Sequence, residues 1–340
     1  MKKLISIFLL STLSPNLYSQ NKPVEKVKPI ITVDLNFITG GFNQSIKQIN
    51  FAPAYYNHLN EGISELTCNN RKMSGFNLEL GYFFDSKHTW GIGSGIMYSS
   101  KQFDLALNSF HIEYQSMDNN NDIFRQVLTS NGVLSEKVKV TNLSVPFLLK
   151  YQKHFSTKLG FNLDAGFLLT INNTSKYDAN ASFDYEAIYQ YVTNNNNTVA
   201  VFDPNPTPSS NDLLITKDKF DASQIDGFHT QGMNVGLNVT HYNSGSIKFK
   251  PRALGWIIQP SLSYKINENI SLLAGFFIMK QSFKNNEANN NYQITNKVGE
   301  YNTMLNAITQ TTNFSYGMNI GLRYFFQTNK DVSKDEVIVE

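Results

Sequence analysis

Six charged residues stand where charge is least expected. Asp34, Glu79 and Asp164 are carboxylates, and Lys150, Lys265 and Arg323 are bases. Each sits between apolar neighbours in the chain, as Asp34 does between Val33 and Leu35 and Lys150 between Leu149 and Tyr151. Three charges of each sign balance. Confined together away from water they must pair, because an unpaired buried charge is costly. The chemistry this predicts is structural, an internal network of ion pairs. The competing reading leaves the same groups solvated near the mouth of whatever encloses them.

Catalytic patterns are weaker. The histidines are His58, His88, His111, His154, His229 and His241. His154 lies near Ser156 but lacks a carboxylate to orient it. His229 and His241 could approach Asp226 or Ser244, which leaves a membrane-embedded hydrolase as a minor reading. No metal-ligand spacing appears, and Cys68 is the only cysteine, so the sequence predicts neither a metal, a cofactor nor an internal disulfide.

Strands must position the six charges. Successive side chains of a strand point to opposite faces, so apolar and polar residues alternate with period 2. The clearest run sets Phe314, Tyr316, Met318, Ile320, Leu322, Tyr324 and Phe326 against Asn313, Ser315, Gly317, Asn319, Gly321 and Arg323. Similar runs centre on Leu35, Leu80, Ile92, Phe147, Leu163 and Ile258. The stretch Ile270 to Phe283 is apolar on both faces.

These faces are inverted relative to a soluble sandwich. The polar side is small, rich in Gly, Ser and Asn, and the apolar side is bulky and aromatic. That predicts lipid outside and a narrow polar interior. Composition agrees: only 16% of the 340 residues are charged, while 17 are Tyr and 25 are Phe. Links between strands alternate short and long. The long ones fall near 43–72, 104–138, 172–251 and 284–311. Outer-membrane barrels sort their periplasmic turns and extracellular loops in this way. The expected fold is therefore all-β, a transmembrane antiparallel up-and-down barrel of eight strands with long extracellular loops. Ten strands is the alternative, with Met233–Val239 and Thr198–Phe202 as two more wall strands. An interfacial girdle is expected from Tyr82, Phe84, Trp90, Tyr151, Trp256, Tyr264, Phe314, Tyr316, Tyr324 and Phe326.

Residues 1–20 read as a signal peptide, with Lys2 and Lys3 before an apolar stretch too short to span a bilayer. A periplasmic segment follows at 21–29, the barrel occupies 30–327, and 328–340 forms a periplasmic tail. The expected location is the outer membrane of a Gram-negative bacterium, with both termini periplasmic. Without Lys2 and Lys3 the chain has 27 basic and 27 acidic residues, and nothing marks a nucleic-acid partner.

The segment Thr141-Asn142-Leu143-Ser144-Val145-Pro146-Phe147-Leu148-Leu149-Lys150-Tyr151, followed by a short turn and Gly160 to Gly166, resembles the central hairpin of PorT-like outer-membrane barrels of Bacteroidetes. The closing run Gly317 to Phe326 is similar too. The resemblance implies an eight-stranded barrel with no cofactor, and some members of that family are linked to protein export. The expected role is non-enzymatic, a barrel with a filled lumen acting through its loops or within an envelope or export complex. Expected partners are outer-membrane lipid and either envelope or secretion-complex proteins or an extracellular ligand at the loops. A narrow passive channel for small solutes is the alternative.

Overall fold

The computed structural model of the chain describes residues 29–55, 58–85, 87–117, 123–193, 200–202, 212–215, 236–286, 288, 291–295 and 301–326. The expected signal peptide, most of the N-terminal segment and the C-terminal tail lie outside them. Eight long strands form the wall: β1 (Ile30–Gln48), β2 (Leu66–Phe83), β3 (Trp90–Leu107), β4 (Leu134–His154), β5 (Leu159–Thr193), β6 (Gly255–Lys265), β7 (Ile270–Lys284) and β8 (Ile308–Phe326). Each pairs antiparallel with the next, and β8 pairs with β1 from Ile31↔Phe326 to Gln48↔Ile308. The sheet therefore closes on itself and leaves no edge in the barrel wall.

Tight turns close one end, and local side chains build them. The Asp85 carboxylate accepts from the Trp90 amide at 2.7 Å. The Ser156 hydroxyl accepts from the Leu159 amide at 3.0 Å, and the Asn267 carbonyl accepts from the Asn269 and Ile270 amides at 2.9 and 2.8 Å. Asp, Ser and Asn favour such turns because their short side chains reach backbone two or three residues on.

The opposite end is not a set of loops. The wall continues past the apolar band, and its two faces exchange polarity on the way. On β4 the outward residues are Tyr151, Leu149, Phe147, Val145 and Leu143, then Thr141, Lys139, Lys137 and Ser135. The inward ones are Gln152, Lys150, Ser144 and Asn142, then Val140, Val138 and Leu134. On β1 the outward switch falls between Phe37 and Thr39, and the inward one between Asn36 and Ile38. The apolar outward part of β3 runs from Trp90 to Tyr98, within the roughly 9–11 residues that a tilted transmembrane strand needs.

The sequence reading of a polar interior thus applies only to the turn-end half. Beyond the switch the interior is a hydrophobic core. Phe51, Tyr55, Phe110, Phe183, Tyr292 and Tyr301 are all buried there. The rings pack edge-on, as Phe51 does on Tyr292 at 5.4 Å and Phe110 on Phe183 at 6.4 Å. Full burial of each such side chain contributes about 2 kcal/mol. Short 3-10 turns at Ala52–Ala54 and Met304–Ala307 fold inward to join this cap.

One expectation needs correction. Much of the predicted links 43–72, 104–138 and 172–251 is strand, because apolar residues with a water-facing partner face carry the sheet onward. The described parts of the two segments in the ten-strand alternative lie outside the ring of eight, and 198–199 and 233–235 lie outside the described residues. Gly236–Lys248 pairs with the protruding half of β5, from Tyr185 to Thr174, and lies above the apolar band. The short strands Ala200–Phe202 and Asp212–Ile215 pair there too. The ambiguous Ile270–Phe283 resolves with Leu273, Phe277, Met279 and Phe283 inward and Leu272, Phe276 and Ile278 outward.

Candidate functional site: a charged cluster in the lumen

Lys150 enters the lumen from β4 with no exposed surface. Its ammonium donates to Asp34 of β1 at 2.9 Å, to Asp164 of β5 at 2.9 Å and to Glu79 of β2. To reach β1 and β2 its stem must cross β3, where glycine stands at the crossing. A Cβ at Gly93 would lie 2.4 Å from the Lys150 Cε, and one at Gly81 would lie 3.2 Å from its Cδ. These glycines supply space for a lysine.

Arg323 of β8 completes the cluster. Its Nε and Nη2 donate to the two Asp34 oxygens at 2.7 and 2.8 Å, a bidentate pair. Its Nη1 donates to Asn162 at 2.8 Å and Gln152 at 3.2 Å. The ring of Phe83, fully buried, lies 5.8 Å from the guanidinium carbon. Asn77 donates its amide to Glu79, so a neutral donor helps to balance three carboxylates against two bases.

Five of the six sequence-selected charges, Asp34, Glu79, Lys150, Asp164 and Arg323, therefore meet in one cluster. Lys265 does not. It shares a row with Arg323 through Ser271, but it is the last residue of β6. Strand tilt carries that row to the rim. Lys265 is half-buried there and makes no ion pair among the described residues. The carboxylate oxygens of Asp34, Glu79 and Asp164 lie within 4.8 Å of one another, a spacing that could hold a cation. The Lys150 ammonium already occupies that role.

Above the cluster, amides and hydroxyls span the lumen. Gln281 donates to Ser144 and Thr170 at 3.2 and 3.1 Å, and Asn173 donates to Asn142. A void between Phe103, Asn173, Phe249, Leu305 and Asn313 measures about 10 Å³, room for one water at most. Higher still, Glu136 is buried in the cap and ties down its last segment. It accepts from the Tyr301 and Thr303 hydroxyls at 2.7 Å each and from the Met304 amide. Burial raises the Glu136 carboxyl above its usual range. Sequence reading missed this acid. Its inward position on β4 was legible, but its partners come from 165–168 residues away.

Residues 18–205 match the outer membrane protein beta-barrel domain family. The chain belongs to that family. Solved outer-membrane barrels are similar at low identity. OprG from Pseudomonas aeruginosa is 12% identical, with 88% of this chain and 96% of that one covered and a TM-score of 0.33. The protease OmpT from Escherichia coli is 9% identical, with 87% and 97% covered and a TM-score of 0.31. Ail of Yersinia pestis, solved with a heparin analogue, is 8% identical, with 88% and 99% covered and a TM-score of 0.25. No curated protein matches this chain.

On this outer-membrane barrel the aromatic residues expected as a girdle point outward. Tyr82, Phe84, Trp90, Tyr264, Tyr324 and Phe326 are exposed near the turn end; Trp256, Phe314 and Tyr316 are exposed at the other margin, and Tyr151 is partly covered. Tyr151 meets Trp90 in a tilted pair at 4.9 Å and Trp256 meets Phe314 edge-on at 6.3 Å.

The histidines scatter. His88 and His154 lie at the turn end, and His229 is outside the described residues. His241 is packed against Phe183 and hydrogen-bonded to the Tyr185 hydroxyl at 3.2 Å, and burial lowers its basicity. His111 bridges the Thr129 hydroxyl at 2.9 Å and the Glu113 carboxylate at 3.1 Å on the outer face of the Phe110–Met117 strand. Burial pushes the Cys68 thiol up to about 12, which removes thiolate reactivity.

Proposed function

We propose that this chain is a non-conducting, non-enzymatic barrel that anchors a folded cap at the cell surface, with both termini in the periplasm. The observation that carries this reading is the Lys150–Arg323 cluster, buried and bridging β1, β2, β4, β5 and β8 across the lumen. A barrel of eight strands has just enough interior for side chains to fill. The packed cap adds a second barrier. Tight turns at one end and long connections at the other support the orientation.

The cap is then the working surface, contacting an extracellular ligand or a neighbour in an envelope or export assembly. The resemblance of the wall strands to PorT-like barrels supports the second partner class. Against hydrolysis, the Thr129–His111–Glu113 chain sits on strands paired on both sides. Their backbone amides are committed to the sheet, which leaves no donor pair for an oxyanion.

The test is solute flux. Proteoliposomes carrying the full chain should retain arabinose and glycine as well as empty liposomes do. Flux that rises with protein content would overturn the closed-lumen reading and favour the narrow channel.

A further inference from the structure

The outward faces just beyond the apolar band carry an ordered pattern. The first row is hydroxyl-rich: Ser74, Ser100, Thr141 and Thr174 are register neighbours on β2 to β5, and Lys248 continues the row. The next row, one outward step higher, is Lys72, Gln102, Lys139 and Lys176. Lys139 and Lys176 are directly opposed, an arrangement that destabilises a sheet when nothing lies between the charges. Lys72, Lys139, Lys176 and Lys248 are exposed, and none has an ion-pair partner among the described residues. Neither row contains an acid.

The acids begin one row further out, where they meet bases. Arg71 holds Asp104 at 2.7 Å, and Lys137 stands between Asp104 and Asp178 in register. On the far side of the barrel Lys280 sits in register with Trp256 and Phe314, at the same margin of the apolar band. Lys72, Lys139, Lys176 and Lys248, in rows that hold no acid, thus stand at the height at which headgroups meet the wall. A groove of about 290 Å³ opens here, lined by Lys139, Lys176, Lys137 and Arg71, with Asp104 and Asp178 at its outer side.

We propose that this hydroxyl-and-lysine collar is a binding site for the phosphate groups of a glycolipid in the outer leaflet. Lysine is a point-charge partner for phosphate, and serine and threonine hydroxyls add donors beside it. Basic residues at a membrane surface attract anionic lipid. Bound phosphate lies between Lys139 and Lys176 and removes their mutual repulsion. The leaflet assignment rests on the orientation proposed above; the phosphate chemistry does not.

The test uses the full chain in zwitterionic micelles, titrated with a bisphosphorylated disaccharide lipid and with the same lipid dephosphorylated, lipid retention being read by native mass spectrometry. The collar predicts at least tenfold tighter retention of the phosphorylated lipid. K72Q/K139Q/K176Q should erase that preference, while K158Q, at the turn end, should keep it. Equal retention of the two lipids, or a preference unchanged in the triple variant, would overturn the proposal. Inorganic pyrophosphate that bound as tightly as the phosphorylated lipid would overturn it too, by assigning the site to soluble anions. These outcomes are independent of solute flux, so they separate this site from the closed-lumen reading.

Discussion

The Lys150 side chain passes so close over Gly93 that one added methyl group there would lie 2.4 Å from its Cε. A lysine on β4 can reach acids on β1 and β2 only because β3 is bare at that point. Gly93→Ala should therefore displace the ammonium from Asp34 and Glu79. The expected cost is about 1–3 kcal/mol, typical of overpacking. It would be read as a lower temperature for loss of the compact band in semi-native gel electrophoresis. Gly132, with nothing within 4 Å of an added Cβ, is the wrong control because its φ is +80°. Gly62, whose added Cβ meets only the His111 Cβ at 3.8 Å, is the right one.

Removal of the ammonium should cost more. Lys150→Met leaves Asp34, Glu79 and Asp164 without their shared base, and a broken buried ion pair costs about 3–5 kcal/mol. Lys150→Met combined with Glu79→Gln should recover part of that loss, because one uncompensated charge is removed as well. Thermal unfolding followed by far-ultraviolet circular dichroism gives the comparison. Equal stability of the single and double variants would contradict charge pairing as the reason for the cluster.

Lys101 makes the opposite prediction. It is fully buried among apolar groups, 6.0 Å from the Phe42 ring centre, and its ammonium has no hydrogen-bond partner. Lys101→Met should raise the melting temperature, because burying an unpaired charge costs free energy that a thioether does not. A lower melting temperature would mean that the ammonium finds a partner when the protein is hydrated.

Glu136 should hold the cap shut. Glu136→Ala strands the Tyr301 and Thr303 hydroxyls and the Met304 amide, at about 1–3 kcal/mol for each buried group left unsatisfied. Limited proteolysis should then cut within 301–307, which the wild-type cap protects, while the barrel wall stays intact. Glu136→Gln keeps an acceptor and should be cut more slowly.

His241 ties cap stability to pH. Burial lowers its pKa below 6.5, so the folded state binds the proton less well than the unfolded one does. Its contribution to stability is complete above pH 6.5 and is lost as pH falls through and below that value. Glu136, raised by burial, works in the opposite direction and stabilises as pH falls through its raised value. The difference between wild type and His241→Phe isolates the histidine. Wild type should lose more cap stability than the variant between pH 7 and pH 5.

The wall was legible because lipid and lumen impose opposite polarity on alternate residues. Asp34, Glu79, Lys150, Asp164 and Arg323 could be selected by parity alone, each flanked by residues facing hydrocarbon. Their meeting could not, since Lys150 joins residues 71 and 116 positions away through space that only Gly93 and Gly81 leave open. Lys265 obeyed the same parity yet stands at the rim, because parity reports a face and not a depth. The cap escaped because the period-2 signal persists across the boundary with its meaning reversed. Val138 and Val140 have the same parity as Asn142 and Ser144, so one alternating run holds a hydrophobic core above and a polar lumen below.

The most direct test of the closed lumen is single-channel recording of the full chain in a planar bilayer at 1 M KCl. The structure predicts a silent wild type, and brief openings only when Lys150→Ala and Arg323→Ala are combined with Glu136→Ala, which releases the cap. Steady openings in the wild type, with the same amplitude as in the triple variant, would contradict it.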